Sequence, residues 1–307
     1  MLVTAARQRR LSGVILVVIS AASFGTLAIL GRYAYAQGMD TLTILFLRFS
    51  LSALLLVALR QASARVPGPG PHPPPALRPR RLVWLQLVGM GAIGYVGQSY
   101  AYLTALKYAS SGLVALLLYL YPIFVVFLSA IWPGVVHECI TLRKLLAFGL
   151  ALAGLALTVG PQGGQALGIF LALLAAAIYS VYIVVGAQVL KQVSAIQSST
   201  VIFASAGASF GLLLALSALR GGACHLPSSG AAWLVIVLLV LLATVLPVVT
   251  FLAGLERIGA SNAAMLSTLE PVVTVLLAAW LLGESLPAIA LLGGGLILVA
   301  VLLSYSQ

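Results

Sequence analysis

The chain has 307 residues, 62% of them hydrophobic and only 7% charged, with a mean hydropathy of +1.17. Soluble globular domains carry roughly 25% charged residues, so composition excludes an ordinary water-soluble enzyme or binding module. A formal net charge of +11 would suggest nucleic acid in a soluble chain, but the placement of the charges excludes that partner as well.

A helix needs ~20 apolar residues to cross a bilayer core of about 30 Å. Ten segments qualify: about 12–34, 41–60, 82–106, 110–132, 141–160, 165–188, 194–219, 231–255, 260–282 and 286–305. Lipid leaves exposed backbone polar groups unsatisfied unless they bond within a helix, so the expected fold is an all-α, multi-pass integral membrane protein. The apolar run of span one is too long for a signal peptide, and no cleavage after Ala34 or Ala36 is expected. Span two carries Arg48 in its interior. Residues 62–81, dense in Pro and Arg and including His72, read as an extended cytoplasmic linker. Span three contains Gly89, Gly91 and Gly94 in a literal G-x-G-x-x-G. No strand precedes it, so a dinucleotide site is rejected. Gly91, Gly94 and Gly97, like the glycines at 293–295, are expected to let helices approach closely.

Sixteen Lys and Arg fall asymmetrically about these spans. Arg7, Arg9, Arg10, Arg60, Arg65, Arg78, Arg80, Arg81, Arg143, Lys144, Lys191 and Arg257 lie on one side, and only Arg32, Lys107 and Arg220 on the other. This positive-inside bias predicts both termini in the cytoplasm. Cys139 and Cys224 then lie on opposite faces, so neither a disulfide nor a metal site is expected. No cofactor is implied.

The halves echo each other. Residues 105–132 align with 254–281, placing Pro122 on Pro271 and Leu106 on Leu255, and residues 23–31 align with 178–186. Two units follow, 1–160 and 161–307, each of five helices. Five is odd, so the second unit enters the membrane inverted. Inverted repeats with a midplane site between them characterise secondary transporters.

Several motifs carry a resemblance to the EamA-type members of the drug/metabolite transporter (DMT) superfamily. They are Asn262-Ala263, Leu269-Glu270-Pro271-Val272, Leu282-Gly283-Glu284 and Gly293-Gly294-Gly295-Leu296-Ile297 in the second half. The first half adds Phe24-Gly25, Arg48-Phe49 and Ala105-Leu106-Lys107-Tyr108. The resemblance implies a ten-helix carrier of small metabolites in a bacterial-type cytoplasmic (inner) membrane, most similar to exporters of amino acids, aromatic ones included. The first half has Tyr121-Pro122 where the second has Glu270-Pro271, so any role of the carboxylate is not duplicated.

A carboxylate near the midplane costs at least ~2.5–3.5 kcal/mol, so Glu270 must be protonated, paired or beside water. It reads either as a proton or substrate-ammonium site, or as a structural carboxyl bonded to backbone released by a proline. Pro122, Pro247 and Pro271 withdraw helical donors from Leu118, Ala243 and Ser267, as hinges or as fixed kinks. Arg48 is expected to pair with a carboxylate such as Glu270 or to snorkel. Tyr95, Gln98, Ser99 and Tyr102 share a face of span three, Tyr179, Tyr182 and Gly186 a face of span six, and Asn262 and Glu270 a stripe of span nine. Facing inward, they would line a cavity for a small amphipathic solute.

The expectation is therefore a secondary transporter exporting amino acids or related metabolites by alternating access. Its partners are a small-molecule substrate and the lipid bilayer, and a monomer is compatible with it. Another metabolite or drug (a quaternary amine, a nucleotide sugar, a vitamin) is the alternative. An intramembrane enzyme would need paired catalytic groups, yet His72, His137 and His225 all fall in loops. No ring of charges marks a channel.

Overall fold

The structure is a computed structural model that describes residues 2–65, 81–105, 108–109, 114, 117–131, 141–159, 164–222, 225–282 and 288–305. Cys139, Cys224, His72, His137, Leu106, Lys107, Gly283 and Glu284 lie outside the described residues. Among the described residues there is no strand beyond an isolated bridge between Ala109 and Gly164.

Six helical stretches are long and apolar enough to cross a membrane: Arg7–Ala36, Thr41–Ala62, Ala166–Val189, Ala195–Leu219, Gly230–Ile258 and Ala260–Leu281. They correspond to predicted spans one, two, six, seven, eight and nine. Spans five and ten appear as shorter apolar helices, α7 (Leu142–Val159) and α14 (Ala288–Tyr305). Span four is described as α6 (Tyr121–Ile131) and its approach. Both ends of the expected linker 62–81 are helical, since α3 (Thr41–Arg65) runs through Arg65 and α4 (Arg81–Gly89) starts at Arg81; residues 66–80 lie outside the described residues.

Several spans are interrupted. Span one breaks at Gly25 and Thr26 between α1 (Leu2–Phe24) and α2 (Leu27–Ala36). Span three passes through π-helical turns at Met90–Tyr95 before α5 (Val96–Ala105). Span eight does the same at Leu241–Val245, between α10 (Gly230–Val240) and α11 (Leu246–Ile258). Span nine breaks at Thr268 and Leu269 between α12 (Ala260–Ser267) and α13 (Glu270–Leu282). Pro122 and Pro271 each fall on the second residue of a helix that restarts after a two-residue turn, where the missing N–H is tolerated because first-turn donors have no intrahelical acceptor. Pro247 instead follows directly on the π-helical turns of a stretch that stays helical from Gly230 to Ile258.

The remaining long helices, α8 (Ala166–Val189) and α9 (Ala195–Leu219), organise the packing. The principal pairs are α3 with α9, α7 with α14, α1 with α11, and α5 and α6 with α8. Glycines permit the tightest approaches. A Cβ at Gly91 would collide with the Ile202 carbonyl and the Ser205 hydroxyl, and one at Gly154 would lie 2.5 Å from the Gly293 carbonyl. By contrast, Gly94 and Gly97 leave ordinary contact distances, and Gly295 faces open space. Of the glycines expected to permit close packing, Gly91 does so, and at the Gly293 carbonyl it is Gly154 on the facing helix that does. The core centres on Phe49, which stacks on Phe210 at 5.7 Å, with Phe203 at 6.0 Å. Large apolar side chains such as Leu85, Ile93, Leu212 and Leu292 are exposed, as expected of a surface solvated by acyl chains.

At one end of the bundle, polar groups join the turn after α2 to the segment before α10. Asp40 caps α3 by accepting from the Thr43 N–H at 3.0 Å, and it also accepts from the His225 N–H at 3.1 Å. The Ser229 hydroxyl donates to the Gln37 side-chain oxygen at 3.1 Å and caps α10 by accepting from the Ala232 N–H. Burial pushes the Asp40 carboxyl up, but the Thr43 hydroxyl and the Thr43 and His225 N–H groups outweigh it and hold the carboxyl below the usual aspartate value. A depressed carboxylate stabilises the fold above its unfolded-state pKa, and that contribution is lost as pH falls through the folded value.

Two outcomes follow for thermal unfolding in detergent. Gly91→Val should cost about 1–3 kcal/mol by overpacking, whereas Gly295→Ala should leave the midpoint nearly unchanged. Asp40→Asn should lower the midpoint at neutral pH, and its deficit against the parent chain should close as pH drops below the ordinary aspartate range.

Candidate functional site

Five tyrosines form a continuous aromatic path through the centre. Tyr95, opening the last turn before α5, meets Phe49 edge-on at 5.0 Å and Tyr182 at 5.3 Å. Tyr182 stacks on Tyr179 at 5.9 Å, one helical turn away on α8. Tyr179 meets Tyr121 edge-on at 4.8 Å, and Tyr121 lies 6.3 Å from Tyr119. Edge-to-face and offset stacking are the arrangements that the ring quadrupole favours.

Glu270 lies at the Tyr119 end of this path, partly buried as the first residue of α13. The Tyr119 hydroxyl is within hydrogen-bonding reach of its carboxylate. Tyr102, Tyr119, Tyr121 and Tyr179 are all near enough to feel its charge. Among the described residues no Lys or Arg pairs with it; Arg9 pairs instead with Glu256. A lone carboxylate set among phenol rings attracts cations, because the carboxylate and the π faces are both negative. The Tyr182 hydroxyl is buried beside Tyr95 and closes no hydrogen bond of ordinary geometry among the described residues.

The break that exposes Glu270 is held from span four. The turn sends the Thr268 N–H to Met265, so the Ala264 carbonyl loses its usual helical donor. The Tyr121 hydroxyl approaches that carbonyl at 3.3 Å. After the break, the Thr274 hydroxyl lies 3.0 Å from the Glu270 carbonyl and 3.2 Å from the Gly25 carbonyl at the break in span one. Pro122 and Pro271 line one small apolar cavity with Tyr119 and Thr268, so the two proline-opened helices start side by side.

Arg48 does not pair with Glu270 and does not reach for the interface. Its side chain is buried, with the residue 7% exposed, and the guanidinium lies 5.0 Å from the Phe49 ring centroid. Nη2 donates to the Ala243 carbonyl at 2.9 Å, and Nε donates to the Thr244 hydroxyl at 2.6 Å. Ala243 carries the carbonyl that Pro247 deprives of its α-helical donor. Arg48 therefore fills a vacancy created by a proline in another helix. Thr244 passes its own proton to the Leu239 carbonyl at 2.7 Å, and the Ser20 hydroxyl donates to the Pro247 carbonyl at 2.7 Å.

Of the residues singled out from sequence, Tyr95, Tyr179 and Tyr182 join the aromatic path, Glu270 lies at its Tyr119 end, and Tyr102 is near enough to Glu270 to feel its charge. Gln98 and Ser99 are partly buried and 3.4 Å apart. Asn262 donates its side-chain N–H to the Ile258 carbonyl at 2.8 Å, where Gly259 (φ 82°) ends α11, so its amide is spent on a helix end. Sequence reasoning missed Tyr119, Tyr121 as a ring partner, and Thr244. A signal for the first two was available, since the alignment of Pro122 on Pro271 sets Tyr121 opposite Glu270 and Tyr119 opposite Thr268.

This fold and site define a multi-pass membrane protein with polar groups gathered inside an apolar shell. The chain belongs to the EamA-like transporter family, which matches residues 11–160 and again 166–306, and it is a membrane transporter. It is 27% identical to an uncharacterized transporter of Archaeoglobus fulgidus over 95% of each chain, and 26% identical to the uncharacterized transporter YcbK of Bacillus subtilis over 66% of each. A solved crystal structure superposes with a TM-score of 0.78 at 22% identity, covering 96% of both chains.

The Arg48 clamp has a quantitative consequence. Arg48→Met should lower stability by about 1.5–3 kcal/mol, the usual scale for a hydrogen bond from a charged donor. Pro247→Ala returns an N–H to the helix, so the same Arg48→Met change made in that background should cost less than half as much. A double-mutant cycle by thermal unfolding measures this coupling, and strictly additive costs would refute the clamp.

Proposed function

We propose that this chain is a secondary transporter that exports amino acids or closely related amine-bearing metabolites by alternating access. Its two units, 1–160 and 161–307, are taken as inverted five-helix halves with both termini in the cytoplasm. The observation that carries the reading is Glu270, an intramembrane carboxylate at the opening of a broken helix, within reach of the Tyr119 hydroxyl, near enough to Tyr102, Tyr121 and Tyr179 for its charge to be felt there, and unpaired by any described cation. A substrate ammonium could bind that carboxylate while its side chain lies on the ring faces. The restriction to amino acids follows the family resemblance.

The packing supports the twofold arrangement. Helix α1 packs on α11 as α5 packs on α8, so that span one meets eight as three meets six. Spans three and eight, five apart, both contain π-helical turns. Spans four and nine, again five apart, both restart at a proline after a two-residue turn. In the described conformation the tyrosines pack ring on ring, so substrate entry requires them to part. Separation of the two proline-opened helices, which begin beside one cavity, would part them.

The test is counterflow in proteoliposomes with the twenty amino acids, quaternary amines and nucleotide sugars as competitors. Saturable counterflow of amino acids is expected, and Glu270→Gln should reduce it by about tenfold or more while Glu270→Asp retains a measurable part. Full flux in Glu270→Gln would remove the carboxylate from the mechanism. Competition by quaternary amines alone would replace amino acids with another cationic substrate. Flux without counterflow would point to a channel.

A further inference from the structure

A second polar site lies at the positive end of the bundle, on a different face from Glu270. Arg9, Arg10, Glu256, Arg257 and Ile258 line an open pocket of about 380 Å³ between α1 and the end of α11. Three guanidinium groups share it with one carboxylate. Arg9 Nη2 lies 3.8 Å from Glu256 Oε1, with both side chains well exposed. That exposure leaves the ion pair weak. Arg257 is fixed by donating through Nη1 to the Ala253 carbonyl at 2.7 Å, which spends one of five N–H groups. The formal charge of the pocket lining is positive, which favours an anion over a cation there.

The walls are set by backbone contact. A Cβ at Gly13 would lie 2.6 Å from Ile258 Cγ2 and 2.8 Å from Arg257 Cβ, and one at Gly254 would lie 2.8 Å from the Gly13 carbonyl. α1 and α11 are therefore interlocked directly beside the pocket, and the arginines of both helices are held on one rim. Leu11, Ile15, Val18 and Ile19 run away from this rim along one exposed face of α1. Head-level arginines above an uncovered aliphatic stripe match a two-part ligand, charged at one end and acyl along its length. A guanidinium binds phosphate oxygens in a planar fork, and basic pockets between spans on the cytoplasmic side suit anionic headgroups.

We propose that this pocket holds the phosphate of an anionic phospholipid from the cytoplasmic leaflet, with the acyl chains lying along Leu11, Ile15 and Ile19. The lipid bridges α1 to α11 and tightens the pair that Gly13 and Gly254 bring together. Glu256 opposes it by competing for Arg9.

Native mass spectrometry and thermal shift on the full chain in neutral detergent test the assignment with short-chain phosphatidylglycerol, short-chain phosphatidylcholine and inorganic phosphate. Phosphatidylglycerol should bind at least tenfold more tightly than phosphatidylcholine and raise the unfolding midpoint, while inorganic phosphate at equal concentration does little. Arg9→Gln and Arg10→Gln should each weaken phosphatidylglycerol about fivefold. Glu256→Gln should tighten it, although it deletes an ion pair, and a purely structural role for that pair cannot give this result. Equal binding of the two lipids would overturn the proposal. So would phosphate matching phosphatidylglycerol, which would mark a soluble-anion site, or weaker binding in Glu256→Gln. Because Glu270 takes no part, unchanged counterflow in the arginine variants would leave the transport reading intact.

Discussion

A carbonyl in the interior of a lipid-embedded protein must find a donor, because no water is there to supply one. This chain breaks or loosens its helices at Gly25, at Met90–Tyr95, at Leu241–Val245 and at Thr268-Leu269. At three of these places the missing partner arrives from a different span. Arg48 serves Ala243, Tyr121 serves Ala264, and Thr274 serves Gly25. Ser20 adds a fourth tie, to the Pro247 carbonyl. The irregular backbone is thus stitched by side chains from α1, α3, α6 and α13, and the few polar residues of an oily sequence are concentrated at these seams. Asn262, which looks like a substrate ligand in the sequence, is likewise a structural donor, to the Ile258 carbonyl.

That division explains what could be read in advance. The class and the positions of the six long spans were legible because they depend on hydrophobic length, a local property. The helix breaks were half legible. Proline positions located them at Pro122, Pro247 and Pro271, but a proline shows only that a donor is missing. Whether the helix bends or stops and restarts depends on its neighbours: here it restarts at Pro122 and Pro271 and runs on through π-helical turns into Pro247. The partner of Arg48 could not be found from sequence, since Arg48 and the π-helical turns at Leu241–Val245 are separated by nearly two hundred residues and no pattern names a carbonyl as the acceptor. Asn262 misled for a related reason. Its spacing placed it on the Glu270 stripe, but the turn at Thr268 and Leu269 interrupts the helix on which that spacing was counted, and the amide turns back to Ile258.

The aromatic path was the more informative failure. Helical periodicity found Tyr95, Tyr102, Tyr179 and Tyr182 one helix at a time, but it did not find Tyr119, which lies in the turn before Pro122 where no periodicity applies. The groups nearest Glu270 come from such turns and helix starts, where backbone geometry is least regular. Sites placed there have the freedom to rearrange that a continuous helix lacks, and they carry the weakest sequence signal for the same reason.

Tyr121 and Glu270 occupy matching places before Pro122 and Pro271, and only one of them can carry a charge. A carrier built from two identical halves would have inward and outward forms of equal energy, a degenerate pair exchanging without preference. Under the proposed alternating-access reading, a carboxyl in one half and a far weaker acid, a phenol, in the other would lift that degeneracy, so that proton or ligand occupancy at a single residue would bias the resting orientation of the whole molecule.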